Sequence, residues 1–474
     1  MIFRSIILLL CIGLSSQVEA QQKWTLQKCI QYAQENGLDI KRSELNVQDA
    51  VYLEKLAEQE RLPNLNGSAG GGLSFGRRID PFSNLPVTQR LGYNSVSLST
   101  NVNIYNGGRI KNSIKQSGIN TAAAKADYEQ SNQNIALDVA VAYLNILLAE
   151  DQLENSKNQL SLSQTQLEQT DKLINAGARP AAELLDIKAQ LAQDEQIVVN
   201  RENDVALAYL SLKQLLEIEP DKPFSISRPE ISVPEDADPE AFTLNNVYQK
   251  AVNNQPGIKA GELRVESAKV GIDISKADRL PRLNGFAEIS SNFSSLATRG
   301  TGVVTDILVP QDIIFMGTPT TLLFEQEIEA REDNPYFNQI NDNFGQAIGL
   351  NLSIPIYNRG QVKTNIQRAE LALKTSEIND QALKQQLKEN IQRAIADARA
   401  GKKNYDAALR TEEALDIAYQ NTDKKFRLGA SNTLEFTTAK NRLEQAKVST
   451  IIAKYDYLFK LKVVDFYMGK KIVL

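Results

Sequence analysis

Between Asn106 and Glu219 apolar side chains recur every seven residues. Ile146, Leu153, Leu160, Leu167 and Ile174 form one series, and Leu184, Leu191, Val198, Val205 and Leu212 form a second. A sustained seven-residue apolar repeat predicts a coiled-coil seam. Two very long helices are therefore expected, folded back on each other at Ala176-Gly177-Ala178-Arg179-Pro180. Gly177 can take the left-handed conformation that ends a helix, and Pro180 suits the first turn of the next. At a rise of ~1.5 Å per residue, the run from Asn106 to Ile174 extends on the order of 100 Å.

Elsewhere the period falls to two. From Ser95 to Ile104 apolar residues or Thr alternate with Ser and Asn, and Phe344 to Ile354 repeats the pattern. Weaker Gly- and Ser-rich candidates lie near Leu65 to Phe75 and Leu283 to Phe293. Strands of about ten residues, apolar on one face and small or polar on the other, have the signature of a membrane β-barrel strand. The predicted strands are thus 65–75, 93–104, 283–293 and 344–354.

The two halves of the chain match each other. Thr25-Leu26, Ala33, Asn36, Ile40-Lys41 and Arg61-Leu62-Pro63 recur at an offset of 218 as Thr243-Leu244, Ala251, Asn254, Ile258-Lys259 and Arg279-Leu280-Pro281. Tyr105-Asn106, Gly108, Gly177-Ala178, Glu183 and Lys188 recur at an offset of 252 as Tyr357-Asn358, Gly360, Gly429-Ala430, Glu435 and Lys440. The change of offset places about 34 extra residues between Gly285 and Tyr357. This connection is too long for a tight hairpin; a surface loop or an outward extension of the strands is expected.

The period is also too long for a solenoid repeat, so a whole structural unit has been duplicated. Each unit opens with helix: Thr25 reads as an N-cap, Asn36-Gly37 as a break, and a second helix runs from about Ile40 to Arg61 and stops before Pro63. The first unit spans 21–219 and the second 242–474, with tips at 176–180 and 428–432. Five prolines and many acids make 220–241 a linker, with one short strand at Phe224-Ser225-Ile226. The last helix runs to about Met468, and Gly469 ends it.

Arg4, the apolar run Ile6 to Leu14 and Val18-Glu19-Ala20 compose a secretory signal peptide, residues 1–20, cleaved before Gln21. Cys11 follows Leu8-Leu9-Leu10 without the small residues of a lipoprotein site, so lipid attachment there is not expected. Cys29 is then alone, no internal disulfide can form, and its apolar neighbours make it a buried residue. No later run is apolar enough for a membrane helix.

The chain has 53 basic and 58 acidic side chains and no histidine. No basic footprint points to nucleic acid, and His-based triads and His-ligated metals are removed together. Glu183 and Asp186 are a carboxylate pair, but Glu-x-x-Asp is common on solvated helices and no pocket signature surrounds it. No catalytic residue, cofactor or metal site is expected.

Four strands cannot close a membrane barrel, whose smallest form has eight, and an open edge in lipid leaves backbone groups unsatisfied. Several chains must therefore share one barrel. Two would give eight strands and three would give twelve, and strand arithmetic does not choose between them.

With the duplicated order, the Ile104-Tyr105-Asn106-Gly107-Gly108 and Ile356-Tyr357-Asn358-Arg359-Gly360 stretches and the two hairpin turns, the mature chain resembles the TolC family of outer-membrane efflux proteins. The resemblance implies a mainly α fold with a membrane β-barrel portion: a homotrimer in which helical hairpins form an α-barrel and each chain lends four strands to a 12-stranded barrel in outer-membrane lipid. It implies a passive exit duct of an efflux or type I secretion system, joined through a periplasmic membrane-fusion adaptor to an inner-membrane pump. The alternative is a periplasmic coiled-coil scaffold or adaptor without a pore, against which the ten-residue alternating strands argue.

The resemblance also assigns roles. Ala176, Gly177, Ala178 and Arg179, with Leu428, Gly429, Ala430 and Ser431, are expected at the adaptor-contact tip. Glu435, Glu183, Phe426 and Arg427 are expected at a periplasmic gate. Thr438 and Ser431 replace charged residues common there, and Phe426 replaces a tyrosine, so closure would rest on Phe426 packing or on Arg427. Glu435, three residues past Asn432, and Glu183, in the first turn after Pro180, equally fit helix capping. Small residues such as Ala149, Ser156 and Ser163 suit close helix packing.

Overall fold

The computed structural model of the protein describes residues 23–470, apart from 80–83, 85, 89, 178, 230–232 and 234–237. The expected signal peptide, Ala178 of the first turn and Ile472-Val473-Leu474 lie outside the described residues. The first half runs α1 (Leu26–Asn36), α2 (Leu38–Gln59), β1 (Asn66–Ser74), β2 (Arg77–Ile79), β3 (Pro86–Thr88), β4 (Leu91–Tyr105), α3 (Arg109–Asn175) and α4 (Ala182–Leu215). The second half runs α5 (Leu244–Asn254), α6 (Pro256–Ala277), β5 (Arg282–Ser294), β6 (Thr298–Phe315), β7 (Thr318–Asp333), α7 (Tyr336–Asp342), β8 (Gly345–Ser353), α8 (Gln361–Arg427) and α9 (Thr433–Tyr467). The chain divides into two compact units, each drawing on both halves: a helical unit of residues up to 52, 118–268 and 372–474, and a strand unit of 53–117 and 269–371.

In the helical unit Thr25 caps α1, its side chain accepting from the Lys28 N–H. The short strand expected at Phe224-Ser225-Ile226 is a single bridge, Trp24 to Ile226. Two hydrophobic cores form, and they are built from equivalent residues of the two halves. Leu26, Cys29, Ala33, Val139, Tyr143, Ile146 and Leu212 belong to one. Val247, Ala251, Ile391, Ile395, Ala398 and Val464 belong to the other, with Leu244 packed against it. Burial pushes the Cys29 thiol up to about 12, which leaves it protonated and unreactive.

Ile146, Val198 and Leu212 of the expected series are buried, but past Ile146 the seam of α3 differs from the expected one. In α3 the buried stripe is Gln152, Ser156, Gln159, Ser163, Gln166 and Thr170, at alternating spacings of four and three. Leu153, Leu160, Leu167 and Ile174 lie beside it and are only half-buried. The reason is that α3 meets both α4 and α9 along this line. Ser163 touches Asp194 of α4 and Lys440 of α9, and the Asn155 amide donates to Glu444 of α9 at 3.2 Å. Small and amide side chains fill this line with hydrogen bonds between helices, and the leucines flank it.

At the centre of the seam, Lys440 and Asp194 are each 3% exposed at the side chain and lie 3.4 Å apart. Lys440 also donates to the Ser163 hydroxyl, Ser163 donates to Asp194, and Gln190 donates to the other Asp194 oxygen at 2.9 Å. Burial pulls the Lys440 ammonium below the usual lysine range, while Asp194 opposes the shift. A buried pair of this kind adds little net stability but is costly to break from one side.

In the strand unit the sheet order is β1-β4-β5-β8, all antiparallel. Register puts Ala69, Val96, Leu98, Val102, Ile289, Ile348 and Leu350 on one face. Ser68, Ser95, Ser97, Ser99, Asn101, Ser290 and Asn351 occupy the other. The Tyr-Asn-x-Gly stretches are strand-to-helix turns in which Gly107 and Gly108, and likewise Arg359 and Gly360, have positive φ. A Cβ on Gly107 would also lie 2.8 Å from the Ala277 carbonyl oxygen, so that position requires glycine.

The extra residues of the second half form neither an open loop nor an extension of the sheet. β6 and β7 make a separate antiparallel hairpin closed at Met316-Gly317, whose φ values of 48° and 80° match the tight two-residue turn. Tight closure had been excluded on length, but the paired strands absorb the residues. One face of this hairpin carries Ile307, Val309, Leu322, Phe324 and Ile328, and the other carries Asp306, Asp312, Glu325, Glu327 and Glu329.

Replacing Lys440 by Met leaves Asp194 buried without its cation, and is expected to destabilise the protein by about 3–5 kcal/mol. The double replacement with Asp194→Leu is expected to recover most of that loss. Thermal midpoints of the purified protein and both variants check this.

Candidate functional site

The two hairpin turns both belong to the helical unit. Each turn ends its helix with a left-handed glycine, Gly177 at φ 74° and Gly429 at φ 76°. Ala176, Gly177, Leu428, Gly429 and Ala430 are exposed, whereas Arg179 is half-buried and Ser431 is buried.

Arg179 joins the two turns. Its guanidinium pairs with Glu183 at 2.7 Å, donates to the Phe426 carbonyl at 2.6 Å and lies 3.8 Å from the Phe426 ring centre. Phe426 in turn stacks on Phe436 at 4.6 Å and is 2% exposed. The Thr433 hydroxyl donates to Glu183 at 2.9 Å. Glu183 thus accepts from both hairpins rather than capping its own helix. The Arg179 side chain is 8% exposed, so the cation–π contact is largely desolvated and stronger than a surface one.

Glu435 behaves differently. Asn432 caps α9, its side chain accepting from the Glu435 N–H at 2.8 Å, as its spacing predicts. The Glu435 carboxylate stays exposed and accepts from the Ser431 hydroxyl at 2.7 Å. Arg427 points away from this cluster and pairs with Asp423 at 2.8 Å on its own helix. Phe426 therefore does pack at the tip, within one chain and beneath Arg179.

Two members of the site were not expected from the sequence, Thr433 and Phe436. Phe436 left a signal: Phe426 and Phe436 sit at equal distances before and after Ser431, so an antiparallel hairpin brings them level. No signal marked Thr433, which acts only through a carboxylate of the other hairpin.

A duplicated chain with long helical hairpins and a sheet that is apolar on one face, polar on the other and open at both edges is a channel subunit, not an enzyme fold. The profile of the outer membrane efflux protein family matches residues 29–217 and 247–470, and the chain belongs to that family. This is a non-enzymatic transporter family. The chain is 23% identical to outer membrane protein TolC of Vibrio cholerae over 354 residues, 71% of this chain and 68% of that one. It is 21% identical to the cation efflux system protein CusC of Escherichia coli K12 over 428 residues, 89% of this chain and 81% of that one.

Among solved structures, one of CusC aligns with a TM-score of 0.73 at 18% identity, covering 94% of this chain and 92% of that one. The Campylobacter jejuni CmeC outer membrane channel aligns with a TM-score of 0.72 at 17% identity, covering 94% and 85%. These likenesses establish the fold: the TolC-like class, in which helical hairpins build an α-barrel and the strands a β-barrel.

Arg179→Ala removes the ion pair, the ring contact and the carbonyl bond together. The expected local cost is about 2 kcal/mol, the upper range for a desolvated cation–π contact. Hydrogen exchange at the amides of 426–436 should speed up by roughly 30-fold, with exchange in the two cores unchanged.

Proposed function

We propose that three copies of this chain assemble into one outer-membrane exit duct, through which cargo passes passively. An inner-membrane pump drives the passage and a periplasmic adaptor makes the joint. The observation that carries this reading is the four-stranded sheet with an apolar face and two unpaired edges, β1 and β8. Three copies pair every edge and give twelve strands, enough for an aqueous lumen lined by the Ser and Asn face. Membership of the outer membrane efflux family supports the same reading. The signal peptide at 1–20 supplies the route to the outer membrane.

The tips are the adaptor contact. Ala176, Gly177, Leu428, Gly429 and Ala430 are small or apolar and exposed, a surface that fits a packed helical partner. Ala178 shares this role by sequence. Arg179 and Ser431 hold the turns in shape from beneath.

Glu435 forms the gate, since its carboxylate is exposed while that of Glu183 is tied into the tip. Three such carboxylates at roughly 8 Å repel by only about 0.5 kcal/mol per pair in water. That is too little to force the tip open and enough to attract cations.

The native mass of detergent-extracted protein should be three times that of one chain, and a stable monomer would overturn the assembly. Trp at both Ala176 and Ala430 should lower export in cells by about tenfold while leaving the trimer intact, a loss equal to about 1.4 kcal/mol of docking energy. Glu435→Gln should weaken cation block of the reconstituted channel without lowering its thermal midpoint. A lower midpoint with unchanged block would make Glu435 a helix cap only.

A further inference from the structure

The strand unit contains an element that closing a barrel does not require. α7 has seven residues, too few to stay helical alone. It is nevertheless fastened down at several points. Gln339, 2% exposed, accepts from the Ser294 N–H at 2.9 Å and donates to the Ser294 and Asn334 carbonyls at 3.0 and 2.7 Å. Ser291 donates to the Ile340 carbonyl at 2.6 Å, and Asn343 donates to the Asn292 carbonyl at 2.9 Å. Asn94 donates to the Tyr336 hydroxyl at 2.9 Å, and the Tyr336 and Phe293 rings lie 5.0 Å apart.

These bonds hold α7 over the apolar face of the sheet, at the end where β1 leads to β2 and β5 leads to β6. Between helix and sheet runs an open-sided groove of about 690 Å³ lined by Ala69, Val96, Leu98, Ile289, Ile340 and Phe344 among others, with no charged side chain. That volume lies in the ~300–1,000 Å³ range of sites for drug-sized ligands. On the rim of the groove Phe337 is 82% exposed and Phe344 is 52% exposed. Aromatic rings held outward by a fixed scaffold suit the boundary between membrane and water.

We infer that α7 is a lipid clamp: it lies at the membrane boundary, its groove seats one acyl chain of a bilayer phospholipid, and Phe337 inserts beside that chain. The inference rests on the proposed reading of the apolar face as lipid-facing. Phospholipid is favoured over a second copy of the chain because copies pair through backbone groups in the plane of the sheet, whereas this groove lies on the apolar face of β1, β4 and β5 and is continuous with the apolar band. Its uncharged lining also fits an alkyl chain and offers nothing to a charged group.

Tryptophan quenching by brominated lipid tests the clamp. Phe337→Trp and Phe344→Trp would be reconstituted into phosphatidylcholine vesicles, with or without bromine on the acyl chain near the headgroup. The wild type, whose only tryptophan is Trp24, supplies the background. Leu350→Trp, in the apolar band of β8, reports on the band itself with bromine placed at mid-chain. Emission from all three introduced indoles is expected to fall about twofold in brominated lipid, as for side chains in contact with acyl chains. Quenching of the Leu350 variant without quenching at 337 and 344 would overturn the clamp and leave the barrel reading standing. No quenching in any of the three would overturn both.

Discussion

The strands β1 and β8 each end the sheet with a row of backbone N–H and C=O groups that no strand among the described residues pairs. In lipid each such group costs several kcal/mol, so the sheet is viable only when another copy supplies the next strand. Other features of the chain follow from that demand. The segregation of apolar from Ser and Asn side chains suits the proposed duct, with lipid on one face of the sheet and a lumen on the other. α8 carries Leu371, Ile378, Leu409 and Ile417 exposed, apolar surface that a single chain leaves uncovered. On the proposed assembly, the chain is a fraction of a larger object.

Duplication supplies that fraction economically, but the halves are no longer equivalent. Their hydrophobic cores still correspond, Cys29 to Val247 and Tyr143 to Ile395. Their polar residues have diverged. Lys188 and Lys440 occupy matching positions, yet Lys188 is exposed and Lys440 is buried against Asp194. The buried pair sits where α3, α4 and α9 meet, and it penalises any slip of one helix past the others, because a slip would strand a charge. A seam of Gln, Ser and Thr would otherwise define register weakly.

At the tips the halves diverge as well. Arg179 and Ser431 are also matching positions, and each bonds to the glutamate four residues on, Glu183 or Glu435. Only the arginine reaches across to the other hairpin, covering Phe426 and binding its carbonyl. One hairpin therefore carries the link, and the other presents an exposed carboxylate bonded only within its own turn. The two turns differ in their contacts and charge although their glycines match.

Much of the fold was legible in the sequence because it is written in local periods. The seven-residue repeats, the alternating strands, the turn glycines and the offsets of the duplication each depend on neighbours along the chain. The four barrel strands fall within about two residues of their predicted positions. The Asn432 cap and the buried Cys29 were legible for the same reason.

What tertiary structure alone decided was which face of a periodic element meets a partner. The leucine series and the Gln–Ser–Thr series of α3 are one residue apart, and only the presence of both α4 and α9 puts the polar one inside. Composition did not reveal that the inserted residues would fold into β6, β7 and α7, since Met316-Gly317 is a turn only once the flanking strands pair. The link from Arg179 to Phe426 spans 247 residues of sequence, a separation at which the local pattern carries no information. Periodicity along a chain reports the conformation of each segment, whereas contacts between segments depend on distances that only the folded backbone sets.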